Sequence, residues 1–317
     1  MQEQTSTQAT GTPVIQKNKN VRKHNRWGYY FLIPFFVVYV MFQLIPLAST
    51  IYYSFFEKYR VGLNYIEEYA GIDNYVNLIK GGLVFQYMKN TAIMWIIGFI
   101  PQILVSLLLG SWFSDNRLKL KAAGFYKVVI YLPNIIMASA FAKLFQTMFA
   151  ETGPVNQILT NIYVFAEPFK FDSNALAERS LVGFMNFLMW FGNTTILLMA
   201  GMMGIDTSLF EAAEVDGANS TQKFWKITIP LLRPILLYVV ITSLIGGIQM
   251  FDVPQILTKG QGNPNKMTMS IIMYLNRNLT PARNYGVAGA LSVMLFIVTA
   301  ILSFIVFKVS GNDKKVK

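Results

Sequence analysis

The chain has 317 residues, 54% hydrophobic and only 14% charged, with a formal net charge of +11. It contains no cysteine and one histidine, His24 in a basic stretch, so disulfides, thiol catalysis and cysteine metal sites are excluded and His24 reads as a solvated tail residue. The apolar residues come in long blocks with the basic ones between them and at both ends, which points to a lipid bilayer and not to nucleic acid.

Residues 1–27 are polar and then basic, with nothing that can pack, and read as a disordered tail up to about Arg22. The stretch is not a signal peptide, because the apolar run behind it is too long and lacks a small-residue cleavage site. A membrane-spanning helix needs ~20 mostly apolar residues. Six windows qualify: Tyr30–Phe55, Thr91–Phe113, Phe125–Phe149, Leu181–Met203, Ile235–Ile256 and Val287–Phe307. The reading is therefore an all-α polytopic membrane protein, with a six-helix domain over 28–309 and a tail over 310–317. The third window is broken by Pro133 and carries Lys143, which must reach the interface or a polar cavity. Pro34, Pro46, Pro101 and Pro133 fall in or beside spans, where neighbours or water satisfy the freed carbonyls. Between the first two windows, NYIEEYAGIDNYVNLI (64–79) has apolar residues at helical spacing. It reads as an amphipathic segment along the outer interface or as loop filler. With the N-terminus inside, sixteen Lys and Arg fall in inside segments and nine in outside loops, so both termini are expected in the cytoplasm.

Between the fourth and fifth windows, the loop 205–230 holds the polar block FEAAEVDGANSTQKFWKITIP (210–230). Ser208 followed by Glu211 fits a capping box, and Gly217 fits the position just past a helix end. A two-turn helix is expected over Leu209–Asp216, slim at Ala212 and Ala213. Ser220 or Thr221 is expected to cap a second helix. Its Phe224, Trp225 and Ile227 would rest on the headgroup boundary, with Lys223 and Lys226 in water. A helix of eight residues is marginal alone. The whole combination reads as a protein-docking element set against an ordinary capped loop.

EAAEVDGANSTQKFWKITIPLLRP (211–234) resembles the EAA loop of ABC importer membrane subunits, with Ile229 where leucine is usual. FLIPFFVVYVMFQLIPLASTIYYSF (31–55), FDVPQILTKGQGNP (251–264) and YGVAGALSVMLFIVTAILSF (285–304) resemble stretches of the carbohydrate branch of that family. In the second of these, Gln261 and Asn263 interrupt the usual end. The similarity covers roughly residues 28–309, and the chain looks like the first of the two permeases of a maltose-type or multiple-sugar importer. The resemblance implies the type I importer permease fold, a second permease, two ATPase subunits that bind ATP and magnesium, an extracellular solute-binding protein and a carbohydrate substrate. It also implies that Glu211, Ala212, Ala213, Asp216 and Gly217 couple this chain to the ATPase. The chain has no phosphate-binding P-loop of its own. The nearest lookalike, GQGNPNKMT (260–268), lacks the glycine before Lys266 and has Met267 after it. No cofactor of its own is expected.

Polar residues inside spans are pathway candidates. Asn186, Trp190 and Asn193 lie at i, i+4 and i+7 on one face of the fourth span, beside Thr194. Ser243, Gly247 and Met250 share a face of the fifth, near Gln249 and Asp252. The resemblance places substrate contacts at about these levels, while interhelical packing explains the same residue types. The competing functions are an ion-coupled secondary transporter or channel, and an intramembrane enzyme. The first needs acids or histidines at mid-membrane and the second a nucleophile and base, and the spans offer almost none of these.

Overall fold

The computed structural model describes residues 26–61, 64–115, 118, 121–280 and 282–311. Most of the two expected tails lies outside this range. Five helices are long and apolar enough to cross a membrane, and a bent pair makes a sixth span if counted as one. The chain divides into two units at Ser49.

The first unit is a helical arm. Helix α1 (Arg26–Tyr39) passes through a π turn (Val40–Leu44) into α2 (Ile45–Tyr53) with no residue buried in the π turn or in α2. In the π turn the Ile45 N–H donates to the Val40 carbonyl, five residues back. The cause is Pro46, whose ring crowds the carbonyl four residues before it and which has no N–H to offer.

The second unit begins within α2 at Thr50 and continues into a hairpin of β1 (Phe56–Val61) and β2 (Asn64–Tyr69), paired Phe56↔Tyr69 through Val61↔Asn64. Lys58 meets Glu67 across it at 3.0 Å and lies over the Tyr53 ring at 3.4 Å. Burial alone would lower the Lys58 pKa; the hydrogen bonds to Glu67 and Tyr53 outweigh it and raise the ammonium above its ordinary value. The helical reading of 64–79 is thus half corrected. Residues 64–69 are strand because β1 supplies backbone partners, and Gly71 at φ +55° separates them from α3 (Asp73–Lys80). Asn74 of α3 donates to the carbonyls of Ser54 (3.0 Å) and Phe56 (2.9 Å) and ties the helix to the hairpin base.

Next come α4 (Leu83–Ser114), α5 (Ala123–Ile135) and α6 (Ala138–Met148). The last two occupy the third window and are bent by 92° at their junction, which is the geometry of a broken span or of a re-entrant loop. Pro133 weakens α5 from within, and Ile136 turns extended at ψ 133°. Lys143 donates to Gln146 at 2.8 Å. Helix α7 (Pro154–Asn161) then leads to α8 (Ala175–Met203), which is N-capped by Asn174. Buried Asn156 clamps the intervening loop. Its amide donates to Ala150 O (2.9 Å) and Phe169 O (3.0 Å), and its oxygen accepts from Phe169 N (2.9 Å). Asn156→Leu removes all three bonds, at about 0.5–1.5 kcal/mol each. We expect limited proteolysis of residues 150–173 in detergent to speed up about tenfold or more. An unchanged cleavage rate would refute the clamp.

The remaining elements are α9 (Thr207–Val215), α10 (Ser220–Lys223), a second π turn (Phe224–Thr228), α11 (Ile229–Ile248), α12 (Asp252–Leu257), α13 (Ile271–Leu279) and α14 (Tyr285–Gly311). The second π turn repeats the logic of the first. Ile229 N–H donates to Phe224 O, and Pro230 follows at once. The fifth span therefore starts well before Ile235, in a continuous helical run from Ser220. Pro230 and Pro234 lie inside this run.

Helices α4 and α8 run parallel, linked by Arg179 to Asn90 (2.6 Å), Gln102 to Thr194 (2.8 Å), Ser106 to Phe191 O (2.9 Å) and Ser114 to the Met202 sulfur (3.5 Å). Two apolar cores flank this pair. One gathers Tyr87, Leu244, Ile248, Met269, Ile271 and Leu291. The other gathers Met94, Phe141, Val182, Met185, Met250 and Leu257. Trp95 packs against both. The many exposed aliphatic and aromatic side chains on α4, α5 and α14 are what a lipid-facing surface requires.

Candidate functional site

Two features of the second unit carry chemistry. The first is a cavity of about 280 Å³ between α4, α8 and α11. Its polar lining is Gln102, Asn186, Asn193, Thr194, Thr242 and Ser243, and its aromatic lining is Trp95, Phe99, Trp190 and Tyr238. Among the described residues, no Lys, Arg, Asp or Glu lines it. Periodicity builds it: Asn186, Trp190 and Asn193 project from one face of α8, and Ser243 and Gly247 from one face of α11, with Met250 just beyond its end.

Inside the cavity the side chains are held in place. The Trp95 N–H donates to Ser243 Oγ at 3.1 Å, and the indole stacks on Phe99 with centroids 5.1 Å apart. The Asn186 amide donates to Val182 O (2.9 Å) and to the Met250 sulfur (3.6 Å). Gln102 donates to Thr194 Oγ1 at 2.8 Å, and Thr194 in turn donates to Trp190 O at 3.0 Å. Carboxamides and hydroxyls beside aromatic faces suit a ligand that is rich in hydroxyls and has apolar faces.

The second feature is α9. Its N-cap is Asp206, whose side chain accepts the Ser208 N–H at 2.9 Å. That bond, with the Ser208 hydroxyl, holds the Asp206 carboxyl below the usual carboxylate range. The expected capping box of Ser208 and Glu211 is therefore corrected. The helix begins two residues earlier, and Asp206, leaving the turn after Gly204, reaches the free N–H groups first. The capping box belongs instead to α10, between Asn219 and Gln222. Ser220 and Thr221 are inside that helix and do not cap it.

The far end of α9 closes as expected at glycine. Ala218 N–H donates to Ala213 O (2.8 Å) and Gly217 N–H to Glu214 O (3.0 Å), with Gly217 at φ +76°. This is a Schellman closure, and it needs a residue that tolerates the left-handed region. Glu211, Ala212, Asp216 and Gly217 are exposed and Ala213 is half-buried. Val215 is 89% exposed and Leu209 45%, so the knob presents apolar groups without a partner. Lys223 is not in water. It is buried and pairs with Glu214 at 2.5 Å, while Lys226 stays exposed.

Known proteins resemble this chain over most of its length. The family described as binding-protein-dependent transport system inner membrane component matches residues 102–311. The chain belongs to this family. Among relatives, the lactose transport system permease protein LacF of Rhizobium radiobacter is 29% identical, over 90% of this chain and 95% of its own length. The multiple sugar-binding transport system permease protein MsmF of Streptococcus mutans is 27% identical, over 90% and 95%. The fold matches a chain of a bacterial ABC transporter involved in import of the acidic polysaccharide alginate, with a TM-score of 0.75 and 21% identity, covering 92% of this chain and 98% of that one.

The residues singled out in the sequence, by helical spacing for the lining faces and by the family resemblance for the loop, fall into the two places described. Asn186, Trp190, Asn193, Ser243, Gly247 and Met250 all line the one cavity. Glu211, Ala212, Ala213, Asp216 and Gly217 sit on α9 and its closing turn. Sequence reasoning missed the α4 wall: Trp95, Phe99 and Gln102. Gln102 carried a usable signal as a lone carboxamide in an apolar span. Trp95 and Phe99 carried none, because an aromatic in such a run reads equally as facing lipid. Asp252 stands apart from the cavity, exposed in the first turn of α12.

Proposed function

We propose that this chain is the membrane permease subunit of an ATP-driven carbohydrate importer. It forms half of the translocation pathway together with a second permease. Two ATPase subunits, which hold ATP and magnesium, drive it through α9, and an extracellular binding protein delivers the sugar. One observation carries the pathway part: six polar, aromatic or small residues chosen from two helix faces converge on a single uncharged cavity. Hydroxyl-bonding amides beside Trp190 and Tyr238 are what a sugar needs, an edge of hydrogen bonds and a flat apolar face. The sugar-transport names of the relatives agree with this reading. The coupling part rests on α9, a capped, exposed knob with Val215 bare.

The orientation places α9 and both termini in the cytoplasm. The chain has no cysteine, so Ser208→Cys and Tyr163→Cys can be made singly and labelled in intact cells with an impermeant maleimide. Only Tyr163→Cys should react; labelling of Ser208→Cys from outside would overturn the orientation and the coupling together. The coupling is tested with Gly217→Asp. A Cβ there meets nothing within 4 Å, so inside this chain the cost is backbone strain of about 1 kcal/mol. Membrane insertion should persist while ATPase co-purification and uptake of labelled oligosaccharide fall about tenfold or more. Undiminished ATPase association in that variant would refute docking through α9.

A further inference from the structure

We propose that the Glu214–Lys223 ion pair is the joint that passes motion from α9 into the cavity-lining helix. The proposal rests on the coupling reading above. Helices α9 and α10 are joined by a turn of four residues, 216–219. The Schellman closure finishes α9, and the Asn219–Gln222 capping box starts α10. Each of these is local to its own helix and sets no angle between the two. The ion pair bridges them, Glu214 on α9 to Lys223 on α10 at 2.5 Å. The Lys223 side chain is 8% exposed and that of Glu214 is 47% exposed, so the ammonium is held against its partner while the carboxylate keeps one side in solvent. Among the described residues, α9 packs extensively against no other element. Its angle to α10 therefore depends on the turn and on this bridge.

From Lys223 the helix runs on without a break through the π turn into α11. There Tyr238, Thr242, Ser243 and Gly247 line the cavity. A push on α9 reaches that wall as a rigid displacement if the joint is stiff. It is spent on bending the turn at Gly217 and Ala218 if the joint is loose. Lys223 is thus a positioning residue that touches neither substrate nor nucleotide.

The test uses the complete transporter in proteoliposomes with Lys223→Met, Glu214→Gln, and the exchange Glu214→Lys with Lys223→Glu. Three quantities are read: ATPase co-purification, ATP hydrolysis, and uptake of labelled sugar. Each single variant should keep the ATPase bound and hydrolysing while uptake falls about tenfold, within the usual range of coupling between sites. The exchanged pair should recover most of the uptake, an outcome that a merely structural lysine would not produce. Normal uptake in Lys223→Met overturns the proposal. So does an exchange that assembles but transports no better than the singles. Loss of the ATPase from both singles overturns it as well, because the pair would then build the docking surface and not transmit through it. Failure of the coupling reading looks different: the unmodified chain would co-purify no ATPase.

Discussion

Gly247→Ala is expected to cut transport about tenfold or further while leaving the protein inserted in the membrane. A Cβ at Gly247 would lie 2.2 Å from Trp95 Cδ1 and 2.5 Å from Cγ, far inside van der Waals contact. The indole must swing away. It then loses its bond to Ser243 (3.1 Å) and its stacking on Phe99. The ring also moves against a space of only about 280 Å³. The lost hydrogen bond accounts for about 0.5–1.5 kcal/mol and the obstructed pathway for more, so uptake should fall about tenfold or further. Gly246→Ala is the control, since a Cβ there meets nothing within 4 Å. If both variants transport normally, the cavity is not the pathway. If both fail equally, the effect is on the helix and not on Trp95.

Gly192→Val acts on the fold. A Cβ at Gly192 would sit within 1.9 Å of the Ile130 carbonyl oxygen and 3.0 Å from Tyr131 Cα. These are backbone atoms and cannot rotate away. Helix α5 is also tethered to α8 by the Asn134 amide on Met189 O at 3.0 Å, so the two helices cannot part without losing that bond. Overpacking of this kind costs about 1–3 kcal/mol even where side chains can yield, and here none can. Membrane-extracted protein should drop about tenfold and elute as aggregate in size-exclusion chromatography. A monodisperse peak at the normal level would show that α5 is free to move.

These two predictions divide the molecule along the line between what was legible in the residues and what was not. The cavity-lining faces were legible because a helix repeats every 3.6 residues, so Asn186, Trp190 and Asn193 had to share a side whatever they packed against. The break near Pro133 was legible for the same reason, since a proline lacks a donor in any surroundings. The 92° bend was not, because an angle depends on what receives the second half-helix, here α12 and α8. Helix α9 shows both sides. Its glycine stop follows from the left-handed turn that only a few residues tolerate, while the choice of Asp206 over Ser208 as cap depended on how the chain leaves α8.

The amino-acid order by itself determined the membrane class, the glycine-closed knob and the two lining faces, all of them consequences of bilayer thickness and backbone periodicity acting within single segments. Only the tertiary structure decided that residues 64–69 are strand, that Trp95 and Gln102 complete the cavity, and that Lys223 is buried against Glu214. Each of those depends on a second segment, far along the chain or across a turn, whose approach no local preference specifies.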